Sequence, residues 1–298
     1  MSAGVGSLIE KADYDTIKAK ADLIFGSGSG QSGYGQSITS PTVSAGAIVY
    51  ASQWLALRND MVKARQHQTG VTIGTSSSLD GANLLLPVSG SSITEALRNQ
   101  FNVFSNTITS DKFLVASSQY STESLITGTR STAWNGTLTH TVTISSTADN
   151  MRYFFNAGGK IKVSANRTGG TASSKNTTWD LMFTQIGEFQ MDYTQTTFTG
   201  SSATGSATGW FDLTTSDILI AQKNAPSGSY AENRYYIYAR RDSGSTQLIL
   251  TIQFQDNDLG DPNTDENVDG TLSSVISQYR PSGANVSVTS PTAIQSGM

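Results

Sequence analysis

The 298-residue chain is long enough for one large domain or two ordinary ones, and 37% apolar residues suffice for a real core. Only 14% of residues are charged, against roughly 25% in typical soluble domains, and a formal net charge of -4 with no sustained basic run argues against nucleic-acid binding. The absence of cysteine excludes disulfide frameworks, thiolate zinc sites and cysteine nucleophiles.

The missing charge is replaced by Ser, Thr, Gly, Asn and Gln. Such neutral polar surfaces suit strands and crowded assemblies, because packing them together desolvates no charge. The first fifteen residues lack the apolar stretch of a signal peptide. No run approaches the roughly 20 apolar residues of a membrane span. The expectation is synthesis in a cytoplasm, with no membrane insertion.

In chain order, Asp13 is placed as an N-cap, followed by Tyr14, Ile17, Ala21 and Ile24 at helical spacing and by Gly26 as the stop. Residues 26–36 then read as a loop rich in Gly, Ser and Gln. Within it Gly28, Gly30 and Gly33 match G-x-G-x-x-G. A dinucleotide site needs a strand before this motif and a helix directly after it. Neither is expected, so a flexible or docking loop is the reading.

A second helix is predicted to start after Ser52 and to end at residues 66–70. Trp54, Leu57 and Met61 fall on one face, with Arg58, Lys63 and Arg65 facing solvent. His67 has no second ligand at metal spacing, and a hydrogen-bonding role near the helix end is expected. Ser92 and Glu95 form a capping box for a third helix. Its stripe of Leu97, Phe101, Phe104 and Ile108 must bury against the other helices or a neighbouring subunit.

From about residue 137 the period changes to two. Leu138, His140, Val142 and Ile144 alternate with hydroxyl residues, which predicts a strand with His140 on the buried face. Further strands are predicted at 152–155 and 160–165 around a hairpin turn, at 188–193, 194–199, 209–213, 218–221, 234–240, 247–254, 271–278 and 284–289. Residues 179–186 are expected to be a short helix. The fold class is α+β: a helical docking region over residues 1–115, a linker over 116–136, and a β-sandwich or jelly-roll-like domain over 137–298. Strand edges left open in such a domain would serve as contact surfaces.

Little in the sequence carries catalytic chemistry. No G-x-S-x-G elbow occurs, and the two histidines lie far apart. Asp256, Asp258, Asp261 and Asp265 lie on one acidic stretch that offers oxygen ligands for a structural calcium or magnesium ion without being an EF-hand; a solvated acidic loop is the competing reading. A paired-carboxylate glycosidase site would need a carboxyl separation that sequence proximity does not establish. Tyr34, Tyr120, Tyr153, Tyr193, Tyr230, Tyr235, Tyr236 and Tyr238 suit strands and also glycan stacking. Sequons at Asn135 and Asn166 read as chance matches without a signal peptide.

Three passages carry a resemblance. The first is AGAIVYASQW from Ala45 to Trp54, with RND at 58–60 and KARQHQTG at 63–70. The second is RYFFNAGGKIKVSANRTGG from Arg152 to Gly170, with SKNTTW at 174–179. The third is DENVDGTL from Asp265 to Leu272, with SQYRPSG at 277–283 and VTSPT at 288–292. Together these resemble a family of virion structural proteins from tailed phages of marine bacteria and cyanobacteria. The resemblance implies a non-enzymatic particle component of the tail, neck or attached fibres, with no catalytic residues to carry over.

On that reading the chain localises to the virion after synthesis in the host cytoplasm. Its partners are other virion proteins and further copies of itself, and the assembly-interface candidates are Trp54, Leu57, Met61, Leu97, Phe101, Phe104 and Ile108. A receptor- or glycan-binding adhesin directed at a host-surface glycan is the alternative, with a capsid decoration protein as a structural variant. A polysaccharide depolymerase is the enzyme option, and it lacks an identifiable carboxylate pair.

Overall fold

A computed structural model describes residues 11–74, the strand pair 78–79 and 82–83, and residues 95–226, 228–258 and 267–298. The chain forms two compact units. The helical unit comprises Met1–Tyr120, Arg152–Gly158 and Pro281–Val288; the β unit comprises Ser121–Met151, Gly159–Arg280 and Thr289–Met298.

The helical unit is built on α1 (Lys11–Ile24), α2 (Ala51–Thr69) and α3 (Glu95–Ser110), with a short hairpin of β1 (Ser78–Leu79) and β2 (Ala82–Asn83) between the second and third. The predicted face of α1, Tyr14, Ile17, Ala21 and Ile24, is the buried one. The helix starts two residues before Asp13, so Asp13 sits in its first turn, where a carboxylate favours the N-terminal dipole, and is not the cap. The α2 N-terminus is held by Gln53 Oε1, which accepts the Tyr50 backbone N–H at 2.7 Å. The helix ends at Gly70, left-handed at φ 73° and donating to the Gln66 carbonyl. Ser92, the first half of the expected capping box on α3, lies outside the described residues.

The three helices meet through aromatic contacts. The Trp54 indole packs edge-on to Tyr14 at 5.3 Å and to Phe101 at 4.8 Å. Lys20 Nζ on α1 reaches Asn102 at 3.0 Å and Asn106 at 2.7 Å on α3. Asp60, wholly buried on α2, accepts the Thr39 hydroxyl at 2.6 Å and the Ser40 backbone N–H at 2.8 Å, which pins the crossing segment between α1 and α2.

The basic stretch of α2 does not face solvent as expected. Arg58 and Arg65 are buried; Arg58 Nη2 donates to the Gly74 carbonyl at 2.6 Å, and Arg65 pairs with Asp111. A guanidinium can enter a core when its planar donors meet fixed acceptors.

The β unit holds two five-stranded sheets. One has the order β12–β4–β10–β9–β8 and the other β3–β11–β5–β6–β7. The strands are β3 (Tyr120–Arg130), β4 (Gly136–Ser145), β5 (Lys160–Thr168), β6 (Glu188–Met191), β7 (Thr196–Phe198), β8 (Ile218–Asn224), β9 (Arg234–Arg241), β10 (Gln247–Asp256), β11 (Thr271–Pro281) and β12 (Thr292–Ser296). Each sheet contains a three-strand meander, β8–β9–β10 or β5–β6–β7, and the remaining strands alternate between the sheets along the chain. This is the expected sandwich.

On β4 the period-two reading holds residue by residue: Leu138, His140, Val142 and Ile144 are buried and stand opposite Phe254, Ile252, Leu250 and Leu248 of β10. Ile161 and Val163 of β5 and Phe189 and Met191 of β6, from the second sheet, meet Leu250 of β10 with Ile220 and Ile237 of the first, and Ile276 of β11 is buried. Helix α5 (Ser174–Ile186), which covers the expected 179–186 helix, is capped by the Ser173 hydroxyl. It buries Trp179 and Phe183 against Trp134, Phe254 and Tyr235, with ring centroids 5.1 to 6.4 Å apart.

Four local expectations are corrected. Residues 152–155 are not a strand but the second half of α4 (Ala148–Asn156). Thr147 Oγ1 accepts the Asn150 N–H at 3.1 Å, and Met151, Phe154 and Phe155 bury at helical spacing. Residues 209–213 hold a single 3-10 turn, and 284–289 contain no strand. The stretch 116–136, expected to be a linker, contains β3, whose Glu123 takes a two-pronged ion pair from Arg280 of β11 at 2.6–2.9 Å. That pair holds the Glu123 carboxyl below its ordinary range.

Candidate functional site

All seven side chains expected at an assembly interface are spent inside the helical unit. Trp54, Leu57, Met61, Leu97, Phe101, Phe104 and Ile108 are buried among the chain's own three helices. The apolar stripe is therefore part of this unit's core. The apolar side chains left at its surface are different ones. Ile48 is 71% exposed and Tyr50 63%, with Val71, Val103 and Leu114 each more than half exposed. Ile48 and Tyr50 fall in the passage from Ala45 to Trp54.

The glycine-rich loop is packed rather than open. Tyr34 is buried; its hydroxyl donates to the Lys112 carbonyl at 2.6 Å and accepts Gln68 Nε2 at 3.0 Å. Arg152 Nη1 donates to the Ser32 carbonyl at 2.7 Å, and Asn156 Nδ2 to the Gly30 carbonyl at 3.2 Å. Gly33 has φ 103°, and a Cβ there would collide with the Ser27 carbonyl; at Gly35 (φ 70°) it would meet the Tyr153 ring. The glycines serve close packing within this unit, and no helix follows the motif to receive a pyrophosphate.

Both histidines are buried. His67 Nε2 donates to the Ala157 carbonyl at 2.8 Å, with the Tyr34 ring 5.2 Å away, and burial pushes its pKa down to about 4. His140 lies on the inner face of β4. Its Nε2 donates to Gln295 Oε1 at 2.9 Å, and its Nδ1 accepts the Ser274 hydroxyl at 2.9 Å, linking the two sheets. The Gln295 amide is oriented by its own donation to the Thr127 carbonyl at 3.2 Å, which fixes the tautomer. Burial lowers the His140 pKa as well. The absent Cβ of Gly128 leaves room for the imidazole.

Of the four acidic residues weighed for a cation, Asp261 and Asp265 lie outside the described residues. Asp256 and Asp258 both face a lysine: Lys175 Nζ is 3.1 Å from Asp256 and 3.5 Å from Asp258. The Lys175 and Asp256 side chains are wholly buried. Among the described residues no group of three or more His, Cys, Asp or Glu side chains is placed to hold a metal ion. Sequence reasoning missed Lys175, because it lies 81 residues from Asp256 on a helix that no acidic pattern marks.

The second and third sequence passages converge in the β unit. Thr168 and Arg167 of β5 pair with Thr271 and Leu272 of β11. Arg167 grips Asp180 through two nitrogens at 2.7 and 3.1 Å and donates to the Asp269 carbonyl at 2.9 Å. The Asp269 carboxylate accepts the Thr171 N–H at 3.0 Å and the Asn176 side chain. Arg167, Asn176 and Asp269 thus build a joint between strands and helix.

Two surfaces of the β unit stand out. The outer face of the first sheet presents rows that run Thr141–Thr251–Tyr238 and Thr139–Gln253–Tyr236, all half-exposed, with the two tyrosine rings 6.2 Å apart. Tyr34 and Tyr235 are core residues by contrast. The sandwich is also closed unequally. On one side, residues 204–206 bridge β8 and β7 through backbone pairs of Thr204 with Gln222 and Ser206 with Thr196. On the other, β12 ends its sheet with no charged residue along the strand and with Ile294 70% exposed. An open polar cleft of about 300 Å³ lies between Phe198, Ser202, Thr204 and Lys223, whose Nζ donates to Ser202 at 2.9 Å.

No helix among the described residues is long and apolar enough to cross a membrane. No protein-family model, curated protein or solved structure matches the chain.

Proposed function

We propose that this chain is a non-enzymatic structural component of a bacteriophage virion, in the tail, neck or attached fibres, acting through protein–protein assembly with other virion proteins and with further copies of itself. The observation that carries the reading is the exposure of Ile48 and Tyr50 on the helical unit. Large apolar side chains left in water are contact candidates, and these two belong to one of the passages that resemble virion structural proteins. The uncharged β12 edge supplies a second surface on which a neighbouring strand could add.

Ile48→Lys combined with Tyr50→Ser removes the apolar contact without touching the core. Incorporation is read by immunoblot of purified particles against the same chain in the lysate, with circular dichroism to confirm folding. Loss of incorporation by about tenfold or more is expected, since an anchor residue at an interface is worth at least about 1.4 kcal/mol. Unchanged incorporation would remove this surface from assembly.

The receptor-binding reading rests on the Tyr236 and Tyr238 platform. Two tyrosine rings set edge to face, flanked by neutral hydroxyl and amide groups, suit an uncharged glycan. Saturable glycan binding by the intact chain, lost in Tyr238→Ala, is the result that would favour an adhesin.

A further inference from the structure

One buried lysine of the β unit, Lys175, has no part in assembly as proposed above. Lys175 stands in the first turn of α5, and Asp256 is the last residue of β10. The Lys175 ammonium lies 3.1 Å from Asp256 Oδ2, with both side chains wholly shielded from solvent. The Tyr230 ring is 5.7 Å from Nζ, and Phe254, two residues before Asp256, belongs to the aromatic cluster on α5. Such surroundings are a poor host for an ion pair: desolvating two charges costs as much as their attraction returns. Transfer of one proton within the pair gives an amine and a carboxylic acid, the two partners of an amide. A second carboxylate, Asp258, lies 3.5 Å from the same nitrogen and is partly open to solvent.

We infer that Lys175 and Asp256 are the partners of an intramolecular isopeptide bond, with Asp258 as the proton carrier. The Nζ lone pair attacks the Asp256 carboxyl carbon. The Asp258 carboxylate takes a proton from the nitrogen and passes it to the departing hydroxyl. The carbon–nitrogen bond forms, the carbon–oxygen bond breaks, and one water leaves; no oxidant, metal or activated cosubstrate enters the balance. Holding the two groups in contact supplies the effective concentration that an uncatalysed condensation lacks. Burial pushes the Asp256 carboxyl toward its protonated form, in the direction the reaction needs. The bond would close a loop across 81 residues between α5 and the end of β10. It would give a chain without cysteine the covalent brace that a disulfide gives elsewhere.

The test is the intact mass of the purified full-length chain under denaturing conditions, beside Lys175→Arg carried through the same preparation. The wild type is expected to be lighter than its own sequence mass by one water. Its protease digest should contain a branched peptide joining Lys175 to Asp256. Lys175→Arg should carry its full sequence mass. Asp258→Asn is expected to accumulate in the unbridged, full-mass form. A wild type at full mass, or a water loss mapped to any other residue, overturns the bond. A fully bridged Asp258→Asn removes Asp258 from the step. None of these readings depends on whether the chain is found in a particle.

Discussion

Trp54→Ala is expected to lower the stability of the helical unit by about 4 kcal/mol. The indole is almost wholly buried, and the Tyr14 and Phe101 rings close on it at 5.3 and 4.8 Å from two different helices. Deleting it forfeits the transfer free energy of the largest side chain in the unit and leaves a cavity that three crossed helices cannot fully close. Such substitutions cost roughly 3–5 kcal/mol. Urea denaturation followed by far-ultraviolet circular dichroism measures the effect as a fall in the midpoint of the helical transition. Had the stripe been an interface to another subunit, the isolated chain would lose under about 1 kcal/mol and only its association would suffer. That outcome would return Trp54 to the surface and contradict the packing described above.

Acidification should weaken the same unit through His67. Its pKa is near 6.5 in an unfolded chain and about 4 when folded, because burial against Tyr34 penalises the imidazolium more than the Ala157 carbonyl favours it. Between these two values the unfolded chain binds the extra proton. Stability is therefore complete above about pH 6.5 and falls as pH drops toward 4. The loss amounts to about 3 kcal/mol across the window. His140 acts in the same direction in the β unit, since its pKa is lowered too. His67→Gln keeps a neutral N–H donor near Ala157 and removes the titration. The difference in unfolding free energy between pH 7 and pH 4.5 should shrink by about 2–3 kcal/mol relative to wild type. An unchanged pH profile in the variant would mean that His67 is hydrated or charged in the folded chain.

Periodicity made much of the fold legible, and it failed in physically specific places. The α1 and α3 stripes and the alternation on β4 were readable because one face of each element is buried and the other is not. Arg58 and Arg65 defied the pattern, since a charged residue on a helix looks solvent-facing until its buried acceptors, here the Gly74 carbonyl and Asp111, are known. The strand expected at 152–155 was suggested by its aromatic residues and by Gly158 and Gly159 after them. A threonine cap at Thr147 and the burial of Met151, Phe154 and Phe155 made it a helix. β3 was hidden because its sequence mixes Ser, Thr, Glu and Gly with few apolar residues, and its register is fixed partly by the Glu123–Arg280 pair.

The candidate sites were less legible than the fold. The acidic stretch drew attention to Asp256 and Asp258, but a cation-binding pattern in sequence does not reveal that a lysine from α5 stands between them. Likewise the apolar stripes marked what needs burying. They did not separate burial within the chain from burial against a partner. The burial of Trp54, Phe101 and Ile108 within the chain makes that distinction.

Immunogold labelling of intact purified particles with an antibody against this chain tests the virion assignment most directly. Gold clustered at one position on the tail, neck or fibres, with the chain also present in the particle immunoblot, is the result expected of an assembly subunit. Particles that are infectious and complete yet contain no trace of the chain by either method would contradict it.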